Sequence, residues 1–181
     1  MIFERLNYLG SGYDTLTAGG NSDIINYSRP NLSINPQEQY VFAQSDTVEW
    51  DVRIVNSSSL ASANFLWIGA KPTANVKVVQ VIDLANGNKI NPSPDIFKLG
   101  SLGVSSQHDY RIRAVYNNCD PDSIEVLMGY DCRNYPDSID NYNCSTISQW
   151  LYYEPVNTRL EADVKDSITQ VYLCEDKTYT I

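Results

Sequence analysis

The sequence predicts an all-β chain folded as an antiparallel β-sandwich. Three observations carry this expectation. Thirteen Tyr, three Trp and many Val and Ile favour strands. Good helix formers are sparse, and no apolar period of 3.6 residues is sustained. Short alternating runs follow one another with turn signals between them, which is the rhythm of a sandwich.

The elements can be taken in order. Residues 1–29 are polar and Gly-rich and read as a linker or the tail of a preceding unit. "TVEWDVRIV" alternates cleanly, with Val48, Trp50, Val52 and Ile54 on one face and Glu49, Asp51 and Arg53 on the other. "FLWIGA" is a short apolar strand. "NVKVVQVIDL" is another, followed by the Asn86-Gly87 hairpin signal. A brief strand is expected around Phe97–Leu99. "HDYRIRAVY" alternates again: Tyr110, Ile112, Ala114 and Tyr116 face one way, Arg111 and Arg113 the other. "CDPDS" turns the chain, "IEVLMGY" returns it, and "DCRNYPDSIDNYNC" is an irregular loop. "QWLYYEP", "TRLEADV" and "SITQVYL" complete the pattern, which suits an immunoglobulin-like sandwich.

Two stretches share an order of features. "SRPNLSINPQEQYVFAQSDTVEWDVRI" begins at Ser28, and "YEPVNTRLEADVKDSITQVYLCEDKTYTI" begins at Tyr153. Each has a Pro, an alternating segment, a Gln with an aromatic-aliphatic patch, an Asp and an aromatic-x-aliphatic strand. Trp50-x-Val52-x-Ile54 thereby aligns with Tyr179-x-Ile181. The expected organisation is a repeat over 30–154, with 155–181 as a linker and the first strands of a following, truncated repeat or a packed extension.

The formal net charge is −9 and the pI is near 4.4. Nucleic acid is not expected as a partner, because phosphate binding needs a basic face. Anionic lipid is disfavoured for the same reason. No apolar run is long enough to span a bilayer, and the opening "IFERLNYLG" is unlike a signal peptide.

Four Cys occur, at 119, 132, 144 and 174, with no CxxC pair and one His. That disfavours a zinc site. Crowding of three of them among Asp, Asn and Pro suggests disulfide-stapled loops in an oxidising compartment; reduced, buried thiols are the alternative. Cys132–Cys144 is the favoured bridge, Cys119–Cys132 is close behind, and Cys174 falls in the incipient second unit. Sequence leaves the pairing open.

"EWDVRIVNSSS", "YRIRAVYNNCDPDSIEVLMGYDCRNYP" and "YEPVNTRLEADV" resemble, in turn, the opening strand, the Cys-bearing latter half and the linker of repeats in very large surface proteins of Bacteroidetes. The giant gliding-motility adhesins are among these proteins. The resemblance implies a cell-surface, extracellular, tandemly repeated sandwich used for attachment or as a stalk. Neighbouring repeats and a glycan or surface ligand would be its partners, and it implies no catalytic residue. Asp-Ser/Thr-aliphatic tripeptides place Thr15, Thr47, Ser123, Ser138 and Ser167 in a pattern that resembles the O-glycosylation acceptor of secreted Bacteroidetes proteins. The plainer reading is that Asp and Ser open strands after turns.

Enzyme chemistry is not expected. His108 beside Asp109 hints at a triad, but it reads as a surface loop residue and no nucleophile elbow accompanies it. The acids sit in turns or on outward strand faces, unlike the paired carboxylates of a glycosidase. No cofactor is expected except calcium, for which Asp120, Asp122 and Asp131 are candidates alongside Asp137 and Asp140. They lack an EF-hand spacing, and turn chemistry, in which Asp and Asn bond their own backbone, is the plainer reading. Tyr130, Tyr135, Tyr142, Tyr152 and Tyr153 cluster in sequence near the Cys loops. If two or three of these rings were exposed and coplanar, they would suit a carbohydrate-binding accessory domain of a secreted enzyme, the alternative to an adhesin repeat.

Overall fold

The structure, a computed structural model, describes residues 13–18, 21–26, 28–43, 47–142, 144–156, 159–164 and 167–172. The described residues are all-β: β1 (Tyr13–Ala18), β2 (Asn21–Asn26), β3 (Leu32–Pro36), β4 (Tyr40–Ala43), β5 (Thr47–Asn56), β6 (Ala63–Ala70), β7 (Val76–Asp83), β8 (Lys89–Ile90), β9 (Ile96–Leu102), β10 (Ser106–Tyr116), β11 (Asp122–Tyr130), β12 (Ser145–Pro155), β13 (Arg159–Val164) and β14 (Ser167–Tyr172). A first sheet runs β3-β5-β10-β7-β8 and a second runs β4-β12-β11-β6-β9. All pairings are antiparallel except β4 on β12. The segment read as a linker holds the β1–β2 hairpin, and β13–β14 forms another beyond the second sheet. Tyr179, Ile181 and Cys174 lie outside the described residues, as does the repeat alignment built on them.

Strict alternation made β5 and β10 legible, and it also builds the core. Val48, Trp50, Val52 and Ile54 on β5 are buried, as are Tyr110, Ile112 and Ala114 on β10. They meet Ile124, Val126 and Met128 of β11 and Leu151 and Tyr153 of β12 from the facing sheet. Trp50 ties the two sheets directly. Its indole N–H donates to the Tyr152 carbonyl at 3.0 Å, and its ring sits edge-on to Tyr153. A buried N–H is costly to leave unpaired, and here the partner belongs to the other sheet.

Residues that alternate out of the first sheet form a charge ladder. β5 and β10 set Arg53 opposite Asp109, Asp51 opposite Arg111 and Glu49 opposite Arg113. Arg53 and Arg111 each grip their carboxylate with two nitrogens, at 2.6 to 2.9 Å. Hydrogen bonds and charge from Arg53 hold Asp109 below the usual carboxylate range, although burial opposes them. Opposite charges placed directly across a pair fix register, because a one-residue slip would break all three pairings.

Asn56 closes one end of the sandwich. It is fully buried. Its amide donates to the carbonyls of Ala61 and Gly103, each at 2.8 Å, and its carbonyl oxygen accepts from the amides of Asn31 and Ser58. Four backbone groups of three loops are thereby satisfied by one buried side chain. Asn56→Ala is expected to cost roughly 3 kcal/mol in urea unfolding, because it orphans those groups. Asn35→Ala, which removes only an exposed bond to Ser33, should stay within about 0.5 kcal/mol of the parent.

Two core tyrosines set an alkaline limit. Burial pushes the Tyr110 phenol up to about 12, helped by the negative charge of Asp83 and by Tyr135. Burial, with Asp122, Tyr116 and Asp120, does the same to Tyr153. Their folded-state values lie above the ordinary value of 10.0, so this contribution to stability is complete below that pH. It is lost as pH rises from about 10 to 12. Urea midpoints should be flat up to about pH 10 and then fall, and Tyr153→Phe should lessen the fall.

Candidate functional site

The outer face of the second sheet differs from that of the first. Where the first carries charges, the second carries rings. Half of it is covered. The loop 131–144 folds across β6 and β11, and Trp67, Ile96, Leu127 and Ile139 form a small second core beneath it, with Tyr135 packed alongside. The close fit depends on Gly129, where a Cβ would lie 2.7 Å from the Trp67 ring and 2.9 Å from the Ser145 carbonyl. Cys132 is bonded to Cys144 and closes the base of this loop. Cys119 is also disulfide-bonded, so a Cys119–Cys132 bridge is ruled out. Among the described residues no cysteine is free, which is the chemistry of a chain oxidised in a secretory or extracellular compartment.

The other half of the face is open. Leu151, Tyr153 and Pro155 of β12 point into the core, so Trp150, Tyr152 and Glu154 point out. The parallel pairing brings β4 alongside, with Tyr40 beside Tyr152 and Phe42 beside Glu154. Four rings are exposed there: Phe42 at 64%, Tyr40 at 46%, Trp150 at 45% and Tyr152 at 39%. Tyr40 and Phe42 stand nearly perpendicular, at 79°, with centroids 5.7 Å apart. The Tyr40 hydroxyl donates to Glu154, and this bond with a nearby negative charge raises the phenol above its usual value. Gln39 pins the neighbouring backbone through the Trp150 carbonyl at 3.2 Å. On the far side Glu125, opposite Trp150, is paired with Lys71 at 3.2 Å. Four exposed rings in one area are more than scattered surface apolar residues would give.

The tyrosines clustered in sequence do not form one face. Tyr152 and Tyr153 are adjacent and therefore point to opposite sides of β12. Tyr153 is buried in the main core. Tyr135 is tucked under the loop, where its hydroxyl accepts from the Gly100 amide at 2.8 Å. Tyr130 is half-buried, and Tyr142 leans on Trp67. Tyr40, Phe42 and Trp150 were not singled out in the sequence. The signal was the alternation in "QYVFA" and "QWLYY", but apolar residues occupy both faces there, so pattern alone does not say which face is wet.

The calcium candidates are not brought together. Asp120 and Asp122 stand at the start of β11 and Asp131 just past its end, roughly 30 Å away along an extended strand. Asp122 accepts from Ser123 N–H and from the Asn75 amide, and Asp120 accepts from the Asn118 amide. Asp131 is buried and accepts from Cys132 N–H at 2.8 Å. It borders a cleft of about 280 Å³ beside the disulfide, lined also by Arg29, Asn64 and Tyr130. Among the described residues, no three acidic, His or Cys side chains gather as a metal group would.

His108 is not in a loop but within β10. It is half-buried, 2.7 Å from Asp83 and stacked near Tyr110. Asp83 also accepts from Ala85 N–H and the Asn86 amide. Burial would raise its carboxyl, but these bonds and His108 bring it below the usual range. No serine hydroxyl bonds to His108 among the described residues, so the pair serves the β7–β8 turn. Of the glycosylation candidates, Thr47 and Ser123 are half-buried at strand starts, and Ser138 is half-buried in the disulfide loop. Thr15 lies in β1 and Ser167 begins β14. Ser123, whose N–H bonds to Asp122, shows the strand-opening role in atomic detail.

No family model and no curated protein sequence matches the chain. Solved structures with similarity include the secreted serine protease VesC from Vibrio cholerae, at 10% identity and TM-score 0.41, over 73% of this chain and 24% of that one. A family 123 glycoside hydrolase from Clostridium perfringens gives 11% identity and TM-score 0.37, over 70% and 27%. A chain of the chaperone–tip adhesin complex of CFA/I fimbriae gives 12% and 0.33, over 78% and 68%. The chain thus spans about a quarter of the first two. Similarity at this level assigns no activity.

The disulfide closes a separation of 12 residues, a constraint worth about 3 kcal/mol by loop entropy. Cys132→Ser with Cys144→Ser is expected to lower stability by that order. The double variant should become cleavable within 133–143, while the main core still unfolds cooperatively in a denaturant series.

Proposed function

We propose that this chain is a non-catalytic module of an extracellular, cell-surface protein that works in attachment, and that the open face of β4 and β12 is where it adheres. The observation that carries the reading is the group of exposed rings at Tyr40, Phe42, Trp150 and Tyr152. A module that only spaced its neighbours would have no reason to keep four aromatic rings in water. The disulfides suit an exported chain. The resemblance of residues 110–136 to repeats of large Bacteroidetes adhesins supports an immunoglobulin-like repeat in a tandem array of the gliding-motility type. Adjacent repeats of the same chain would then be its neighbours, with Thr47, Ser123 and Ser138 as candidate acceptors of O-linked sugar.

Two measurements check this. An antibody to the chain should detect a very large protein that vanishes when intact producing cells are shaved with protease. A band of this chain's own size, protected inside the cell, would sink the reading. Beads coated with the chain should be retained under flow on glass, agarose or the producing cells, and Phe42→Ala with Trp150→Ala should cut retention at least fivefold, on the order of two lost aromatic anchors. Retention unchanged by that pair would remove the face from the proposal.

A further inference from the structure

We infer that the open β4/β12 face recognises a cationic side chain, a lysine or arginine presented by a partner protein, held on the rings of Tyr40 and Phe42 against the carboxylate of Glu154. The inference rests on the proposed binding role of this face and names its ligand chemistry. Three observations favour a cation over a flat sugar.

The first is ring geometry. Sugars stack on coplanar rings, whereas Tyr40 and Phe42 cross at 79°. A cation needs only one ring face within about 6 Å and has no use for a flat platform. The second is charge. Glu154 lies beside Phe42 in the ladder and takes a hydrogen bond from Tyr40, yet among the described residues it is in no ion pair. The arginines of the opposite outer face, Arg53, Arg111 and Arg113, are all matched with acids. Glu125, the next acid along, already has Lys71. A carboxylate among exposed rings, on a chain with 22 acidic and 13 basic side chains, repels anions and draws in a positive partner. The third is precedent within the molecule. Lys98 places its ammonium 5.5 Å from the centroid of Tyr135, so this chain already uses a cation on a tyrosine ring.

A second copy of the chain is a poor occupant, because two bodies of charge −9 repel and Lys71, the basic side chain that borders this face, is already paired with Glu125.

Fluorescence provides the test. Trp50 and Trp67 are fully buried, and Trp150 is exposed beside the site, so a change in emission on binding reports Trp150. The full chain is titrated with capped tetraarginine, tetraasparagine and cellotetraose. The expected result is a saturable change with tetraarginine alone, weakened on the order of fivefold by Glu154→Gln and by Phe42→Ala. It should be untouched by Asp137→Asn, which removes the same charge elsewhere. Equal weakening by Asp137→Asn would mean diffuse attraction and overturn the inference. So would saturable binding of cellotetraose without tetraarginine, which would return the face to sugars. The bead assay separates this failure from that of the attachment reading. Retention that needs Phe42 and Trp150 but ignores Glu154→Gln, salt and added tetraarginine would defeat the cation and leave attachment standing.

Discussion

The indole of Trp50 finds a hydrogen-bond acceptor inside an apolar core, and much of the structure follows from where it finds one. The acceptor is the backbone of Tyr152 in the facing sheet. That bond sets β12 against β5 at one point along its length. The two-residue period of a strand does the rest: Leu151 and Tyr153 go in, and Trp150, Tyr152 and Glu154 go out. β4 then pairs in parallel and adds Tyr40 and Phe42 to the same outer surface. The position of the open rings is thus a geometric result of a core interaction on the other side of the sheet.

The two outer faces solve the same problem differently. The first sheet is finished by a ladder of opposite charges whose carboxylates and guanidinium groups neutralise one another. The second carries aromatic rings with Glu125 and Glu154 among them, and a disulfide-closed loop seals only part of it. The uncovered remainder keeps one unmatched carboxylate among aromatic rings. Exposed apolar surface carries a cost in solubility, and its confinement to one edge, beside an acid, is how this fold keeps that cost local.

Much of the fold was legible in the sequence because β5 and β10 are buried on one side only, so their alternation names both strand and face. The all-β class and the two-layer core follow from such strands. β12 was legible as a strand but not as a site. In "WLYY" every residue is apolar or aromatic, and alternation carries no information when both faces look alike. The disulfide loop was legible as irregular chain, whereas its role as a lid over Trp67 was not, since that contact spans non-neighbouring elements. His108 was misplaced because its partner Asp83 is a cross-strand neighbour and not a sequence neighbour. The acids that looked like a metal cluster are held apart by the full length of β11.

The parallel pairing of β4 with β12 also has a consequence in time. Residues 40–43 find their partner only at 152–155, so the edge of the second sheet is completed by almost the last strand of the sandwich to leave the ribosome. At ordinary elongation rates that interval is roughly 5 to 20 s. Throughout it, Tyr40, Val41 and Phe42 belong to a strand with nothing to pair with. The nascent chain therefore carries that aromatic segment unpaired for seconds, and the second sheet gains its edge strand only when β12 arrives.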